Sequence, residues 1–252
     1  MEKSSTVYTT EHLIFKNFTT EDMTDEYYSW FHDTEVTAHN SHGLFPYTKK
    51  QKSEFLNSID NKERIVFAVY TRNRARVGNV ELASFDWINR SAEISIVVGA
   101  RQEWGKGYGT EMCKKVVEHG FLNLNLHRIW TGTTETNIGM NFVAKKIGMS
   151  YEGKFKKAKF LNGEYVDINL YGLTVDDWKN PTVEKALENT DDILSLVEDH
   201  RGANNKLWMG LVKIATKTKE GINLLKDIRK NDVKISNLLG EITEEEKNIN
   251  EK

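Results

Sequence analysis

The stretch Arg101-Gln102-Glu103-Trp104-Gly105-Lys106-Gly107-Tyr108-Gly109-Thr110 constrains this chain more than any other. It follows an apolar run, Ile94-Ser95-Ile96-Val97-Val98, whose composition predicts a strand, and it precedes residues 111–122, whose composition predicts a helix. A strand that turns through glycines into a helix makes an anion site. The first N–H groups of a helix have no partner within it, and the aligned peptide dipoles place partial positive charge at that end. Gly105, Gly107 and Gly109 let the backbone meet a ligand with no side chain between. The expected guest is a phosphate or pyrophosphate.

Two phosphate motifs fit poorly. The nucleotide-triphosphate loop needs Gly, four residues, then Gly-Lys-Ser/Thr, whereas Lys106 is followed by Gly107. The dinucleotide fingerprint opens a βαβ unit, whereas this turn lies deep in a chain whose preceding runs read as antiparallel hairpins. Charge narrows the field further: a formal net charge of −2 gives no electrostatic case for nucleic acid, because domains built for phosphate backbones are markedly basic. Cys113 is the only cysteine, so no intrachain disulfide can form and a reducing interior is expected. Met1-Glu2-Lys3-Ser4-Ser5 carries no apolar core of a leader and no run approaches the length of a membrane span. The expectation is a cytoplasmic protein with no membrane and no nucleic-acid partner.

Along the chain, Leu13 to Phe18 reads as a first strand, and Thr19-Thr20-Glu21-Asp22 supplies caps for a helix reaching about Phe31. Trp30, Phe31, His39, His42, Phe45 and Tyr47 crowd the next stretch; His39 and His42 lack a third ligand at a recognisable spacing, so no metal is expected. Lys49 to Ile59 reads as a helix, and Ile65 to Tyr70 with Arg76 to Leu82 as a hairpin. In the strand Ala92 to Gly99, the period of two sets Glu93, Ser95 and Val97 on the face opposite Ala92, Ile94, Ile96 and Val98. Residues 129–134 read as a strand, 137–147 as a helix closed by Gly148, and 152–171 as two strands around Asn162-Gly163. The fold class is α+β, a mixed and mostly antiparallel sheet flanked by helices in three layers. Residues 1–178 form that domain. After Asn180-Pro181 the texture changes, and 179–252 reads as an all-helical appendage, either folded on itself or on the preceding domain, or serving self-association or partner docking.

Gln102, Gly105 and Gly107 fill the pattern Gln/Arg-x-x-Gly-x-Gly/Ala, and Asn137, Lys146 and Gly148 stand in a second block some thirty residues on. Two blocks at this separation resemble the GNAT superfamily of acyl-CoA-dependent N-acyltransferases, over residues 8 to 178. The resemblance implies that Gln102, Gly105, Lys106, Gly107, Tyr108, Gly109 and Thr110 hold the pyrophosphate of acetyl-CoA. It further implies that Ile96, Val97 and Val98 lie along the pantetheine on a strand splayed from its neighbour by a bulge, and that Asn137 reaches the pantetheine amide. The N–H near Val98 would face the thioester oxygen as an oxyanion donor.

An alkyl ammonium with a pKa of about 10 is neutral in only about one molecule in a thousand at pH 7, a penalty of about 4 kcal/mol. A base is therefore expected, with Glu93 first, through a water, and Glu81 second; the alternative for each is a solvated or ion-paired strand glutamate. The place where many relatives carry a general-acid Tyr is Ala144, so Tyr151, Tyr108 or water must protonate the thiolate, and Met140 stands where one branch carries Ser. The expected reaction is acetyl transfer to a small primary amine, with texture near Tyr28-Ser29-Trp30 resembling amino-sugar-nucleotide N-acetyltransferases. The alternatives are a protein N-terminus as acceptor, or a CoA-binding scaffold without catalysis.

Overall fold

The computed structural model describes residues 4–41 and 49–179. The helical appendage read from the sequence therefore lies, apart from Lys179, outside the described residues, as do His42, Phe45 and Tyr47. Eight strands, β1 (Thr6–Thr9), β2 (Leu13–Asn17), β3 (Arg64–Thr71), β4 (Arg76–Asp86), β5 (Ser91–Val98), β6 (Arg128–Thr134), β7 (Ser150–Leu161) and β8 (Glu164–Thr174), make one sheet. Their order is β1-β2-β3-β4-β5-β6-β8-β7, and every pairing is antiparallel except β5 with β6. Among the described residues four α-helices accompany them: α1 (Asp25–His32), α2 (Lys49–Ser58), α3 (Tyr108–Leu122) and α4 (Ile138–Lys146).

Alternation along β3 divides the packing. Ile65, Phe67 and Val69 belong to one core with Leu82, Ile94 and Ile129, against which α3 buries Met112, Cys113, Val116, Val117 and Phe121. Val66 and Ala68 point the other way, into a second cluster with Phe18, Tyr27, Trp30 and Phe31 from the α1 side. The sheet thus sits between two helical layers, the mixed, mostly antiparallel arrangement expected from the sequence. Cys113 is fully buried in the first core, where burial pushes its thiol pKa far up, so it packs as a small apolar residue.

Three local features differ from the sequence reading. A first strand, β1, pairs with β2; its four residues are too short for a periodic signal. The helix expected after Thr19 breaks into a 3-10 turn over Thr20–Asp22 and then α1, because two caps occur in succession. Thr19 and Asp22 form a capping box, and Thr24 Oγ1 then accepts from the Tyr27 N–H at 3.2 Å. The helix expected from Glu111 begins at Tyr108, directly on Gly107. The β7–β8 turn follows expectation, with Asn162 and Gly163 both left-handed at φ 51° and 88°. No described helix is long and apolar enough to cross a membrane.

Candidate active site

The parallel pair β5–β6 is joined at three positions only, Ser91↔Arg128, Ala92↔Ile129 and Glu93↔Trp130. Beyond them β5 stays in register with β4 as far as Gly78↔Val98, while β6 follows β8 as far as Thr134↔Ile168. The two strands therefore part after Glu93, and a cleft of about 680 Å³ opens between Ser95–Val98 on one wall and Thr131–Thr134 on the other. The parting comes without a bulge in β5. The register irregularity lies in β4 between Ala83 and Asp86, where Ser84 adopts φ 53°, at the closed end of the fork.

The glycine turn closes one end of this cleft. A 3-10 turn at Arg101–Glu103 leads to Gly105 and Gly107, left-handed at φ 76° and 83°, and Gly107 is the N-cap of α3 with no side-chain cap. The N–H groups of Thr110 and Glu111 donate to the Gly107 carbonyl at 3.0 and 3.1 Å, so the donors that the helix itself leaves unused are those of Tyr108 and Gly109. A Cβ added at Gly105 or Gly107 would meet nothing within 4 Å; backbone conformation, not crowding, calls for glycine at these two positions. Gly109 serves differently. Its Cβ would lie 3.2 Å from Ile96 Cδ1 and 3.7 Å from both Val143 and Val98, so this third glycine seats the first turn of α3 against β5 and α4.

Of the residues expected to hold acetyl-CoA, Ile96, Val97, Val98, Gly105, Gly107, Tyr108, Gly109, Thr110 and Asn137 line the cleft. Gln102 is exposed and outside that lining, and the Lys106 ammonium is held by Glu103 at 2.9 Å. Trp104, which sequence reasoning passed over, also lines the cleft, and its indole N–H donates to the Val98 carbonyl at 2.7 Å. Asn137 caps α4: its Oδ1 accepts from the Met140 N–H at 3.0 Å, which leaves its two amide hydrogens for a ligand. The next turn is fixed by Asn141, whose Nδ2 donates to the Thr134 and Asn137 carbonyls at 2.9 and 2.7 Å. Its Oδ1 accepts from Asn169 and Tyr171, both at 2.8 Å. Ala144 is fully buried in the core.

On the face of the sheet turned toward α1 lie the polar groups. Ser95 lines the cleft and donates to Glu81 Oε1 at 2.7 Å, and Glu81 Oε2 receives Arg64 at 2.8 Å. Glu93 stands one step deeper, outside the lining, with Ser84 Oγ 3.4 Å away. Burial pushes its carboxyl pKa up; the Ser84 hydrogen bond opposes the shift and the Glu81 charge adds to it. Tyr151 is 54% exposed on β7, its ring 5.7 Å from that of Tyr171, and is not part of the lining. Glu35, His39 and Lys159 do line the cleft. The His39 Nδ1 lies 3.4 Å from both Thr134 and Thr136, and burial, with the Lys159 charge, pushes the imidazole pKa down. Among the described residues no cluster of His, Cys, Asp and Glu could hold a metal ion.

Known proteins share both the sequence and the architecture. Residues 12–150 match the family model of the acetyltransferase (GNAT) domain. The uncharacterized N-acetyltransferase YnaD of Bacillus subtilis is 30% identical over 173 residues, covering 68% of this chain and 98% of that protein. Spermidine N(1)-acetyltransferase of Vibrio cholerae is 32% identical over 109 residues, 43% of this chain and 62% of that protein. Among solved structures RimL, a ribosomal alpha-N-protein acetyltransferase in complex with coenzyme A, has the same fold at a TM-score of 0.61 and 15% identity, over 69% of this chain and 99% of its own. A sheet that forks beside a glycine turn at a helix N-terminus, and a family match spanning more than half of the sequence, lead to one conclusion: the chain belongs to the GNAT family of acetyltransferases, enzymes that draw the acetyl group from acetyl-CoA.

Proposed function

We propose that this enzyme acetylates a primary amine of a small molecule, the amine attacking the thioester directly while both substrates occupy the fork. The observation that carries the reading is the parting of β5 from β6 beside the Gly105–Thr110 arm, which offers unpaired strand edge and helix N–H groups to one extended guest. In this reading Tyr108 and Gly109 donate to the diphosphate, and the edge of β5 from Ile96 to Val98 pairs with the pantetheine. Remote binding of this kind fixes the thioester for attack. A residue in a strand directs its N–H and C=O to the same edge, and the Val98 carbonyl faces Trp104 on the cleft side. The Val98 N–H is thus the proposed donor to the oxyanion.

The chemistry balances simply. The amine nitrogen forms a bond to the thioester carbon, the C–S bond breaks, and the nitrogen loses one proton while the thiolate gains one. Glu93 is the proposed base, receiving the amine proton through a water; its raised pKa brings it closer to working pH. Glu81 is the second candidate and touches the cleft through Ser95. Tyr151, which stands outside the cleft lining, is the proposed donor to the thiolate, acting through a water. The acceptor class is supported by the spermidine N(1)-acetyltransferase relative. An amino-sugar nucleotide is named for none of the three relatives described. The test is thiol release from acetyl-CoA across amines, amino sugars and N-terminal peptides. Turnover of small amines is expected; turnover of peptides alone would move the acceptor to a protein N-terminus, and silence from all acceptors despite tight CoA binding would overturn catalysis.

A further inference from the structure

Among the described residues, the acceptor end of the cleft offers a polycation no unpaired carboxylate. A polyamine is held by carboxylates, and the two acidic residues that line the cleft among the described residues are occupied: Glu35 Oε2 meets Arg101 Nη2 at 2.5 Å, and Glu103 Oε2 meets Lys106 at 2.9 Å. Among the described residues, the charge that lines the cleft without an opposite partner is a cation. Lys159, on β7, lines the cleft, is half-buried, and donates to the His39 carbonyl at 3.3 Å. No carboxylate lies within ion-pair distance of it among the described residues, whereas its neighbour Lys154 is paired with Asp167 at 2.5 Å. Burial lowers the Lys159 pKa. An ammonium drawn partly out of water that has, among the described residues, one neutral acceptor is a group in want of a partner, and a bound anion supplies one.

From this we infer that Lys159, together with the neighbouring Thr134 and His39, forms a subsite for an anionic group, carboxylate or phosphate, carried by the amine substrate. The inference rests on the acetyl-transfer reading and narrows its acceptor to amines that bear a negative charge. The neighbours suit the role. Burial and the Lys159 charge push the His39 pKa down, which favours the neutral imidazole, and the Thr134 hydroxyl beside it can donate to an oxygen. Lys159 stands on the α1 side of the fork through its bond to His39, whereas the Gly105–Thr110 arm stands at the mouth of α3.

Thiol release is measured with matched acceptors: amino acids against their carboxamides, phosphoethanolamine against ethanolamine, and spermidine. The carboxylate and phosphate arms separate the two sources of charge. Because a charge-assisted hydrogen bond is worth roughly ten- to a hundredfold in affinity, the acidic member of the favoured pair is expected to show a KM lower by about that factor. Lys159→Met should abolish the difference, Lys159→Arg should restore most of it, and the KM for acetyl-CoA should hold in both. Equal use of acidic and neutral partners, a preference for spermidine, discrimination that survives Lys159→Met, or a raised KM for acetyl-CoA in that variant would each overturn the inference. If no amine is turned over, the acetyl-transfer reading fails, and the subsite is read separately by calorimetry of the CoA-saturated protein with inorganic phosphate and with acetate. Heat that disappears in Lys159→Met upholds the subsite, and no heat from either anion overturns it.

Discussion

Replacing Asp22 by Ala tests how the α1 side of the site is anchored. Arg76 Nη1 lies 2.6 Å from Asp22 Oδ1, with side chains only 7% and 1% exposed, so solvent screens the pair little. Tyr70 OH donates to the same Oδ1 at 2.5 Å, while Oδ2 accepts the Thr19 N–H at 2.8 Å and closes the capping box. The guanidinium is ringed by Phe18, Tyr27, Trp30 and Tyr70 within about 6 Å, and its Nε already has no partner. Asp22→Ala therefore strands a cation among aromatic rings and removes a cap. Loss of one member of a buried pair costs about 3–5 kcal/mol. At roughly 2–4 °C per kcal/mol for a domain of this size, the melting temperature should fall by roughly 6–20 °C. Urea unfolding at pH 7 gives the free energy, and the paired replacement Asp22→Leu with Arg76→Met, which removes both charges, should recover most of it. A loss below about 1 kcal/mol for Asp22→Ala, or no recovery in the double variant, would refute the claim that this pair is a desolvated charge needing its partner.

Glu93→Gln should lower kcat by about a hundredfold at unchanged KM for acetyl-CoA if Glu93 takes the proton, while Glu81→Gln should do so instead if the Ser95 link is the route; steady-state thiol release separates them. Glu93 also makes a stability prediction. Its folded pKa lies above the ordinary 4.5, so both states are protonated well below that value, and the native state loses stability as pH rises from there until the folded pKa is passed. Glu93→Gln is then more stable than the parent at pH 7, and the difference should shrink as pH falls well below 4.5, by urea unfolding. Gly107→Ala forces a Cβ onto a left-handed residue, a cost of about 1–2 kcal/mol, and it places a methyl group where the diphosphate is proposed to sit, so the KM for acetyl-CoA should rise while the KM for amine holds. Gly99→Ala should be worse for folding, because its Cβ would collide with the Trp30 ring; a soluble, fully stable variant would contradict the packing.

Local chemistry was legible wherever it is encoded in adjacent residues. The glycine turn, the apolar alternation of β5 and the Asn162-Gly163 hairpin each announce themselves within a dozen positions, and the sheet class follows from them. What escaped is long-range. Ser95 meets Glu81 because β4 and β5 pair in the register Glu81↔Ser95, and His39 meets Lys159 across 120 positions; no periodicity in a single chain sets either partnership. Gly109 looks like its two neighbours in the sequence, yet its task is set by Ile96 and Val143, residues that only the tertiary fold brings there. Trp104 likewise reads as one more loop aromatic until β5 presents the Val98 carbonyl to its indole.

The three-rung junction between β5 and β6 divides the sheet into a five-strand half and a three-strand half held together by little main-chain bonding. An extended guest lodged in the gap would act as mortar between two walls, contributing the rungs that the polypeptide leaves out. The protein's resistance to heat should then track the concentration of acetyl-CoA, so that the pool of donor in the cell sets not only how fast the enzyme works but how firmly its two halves are joined.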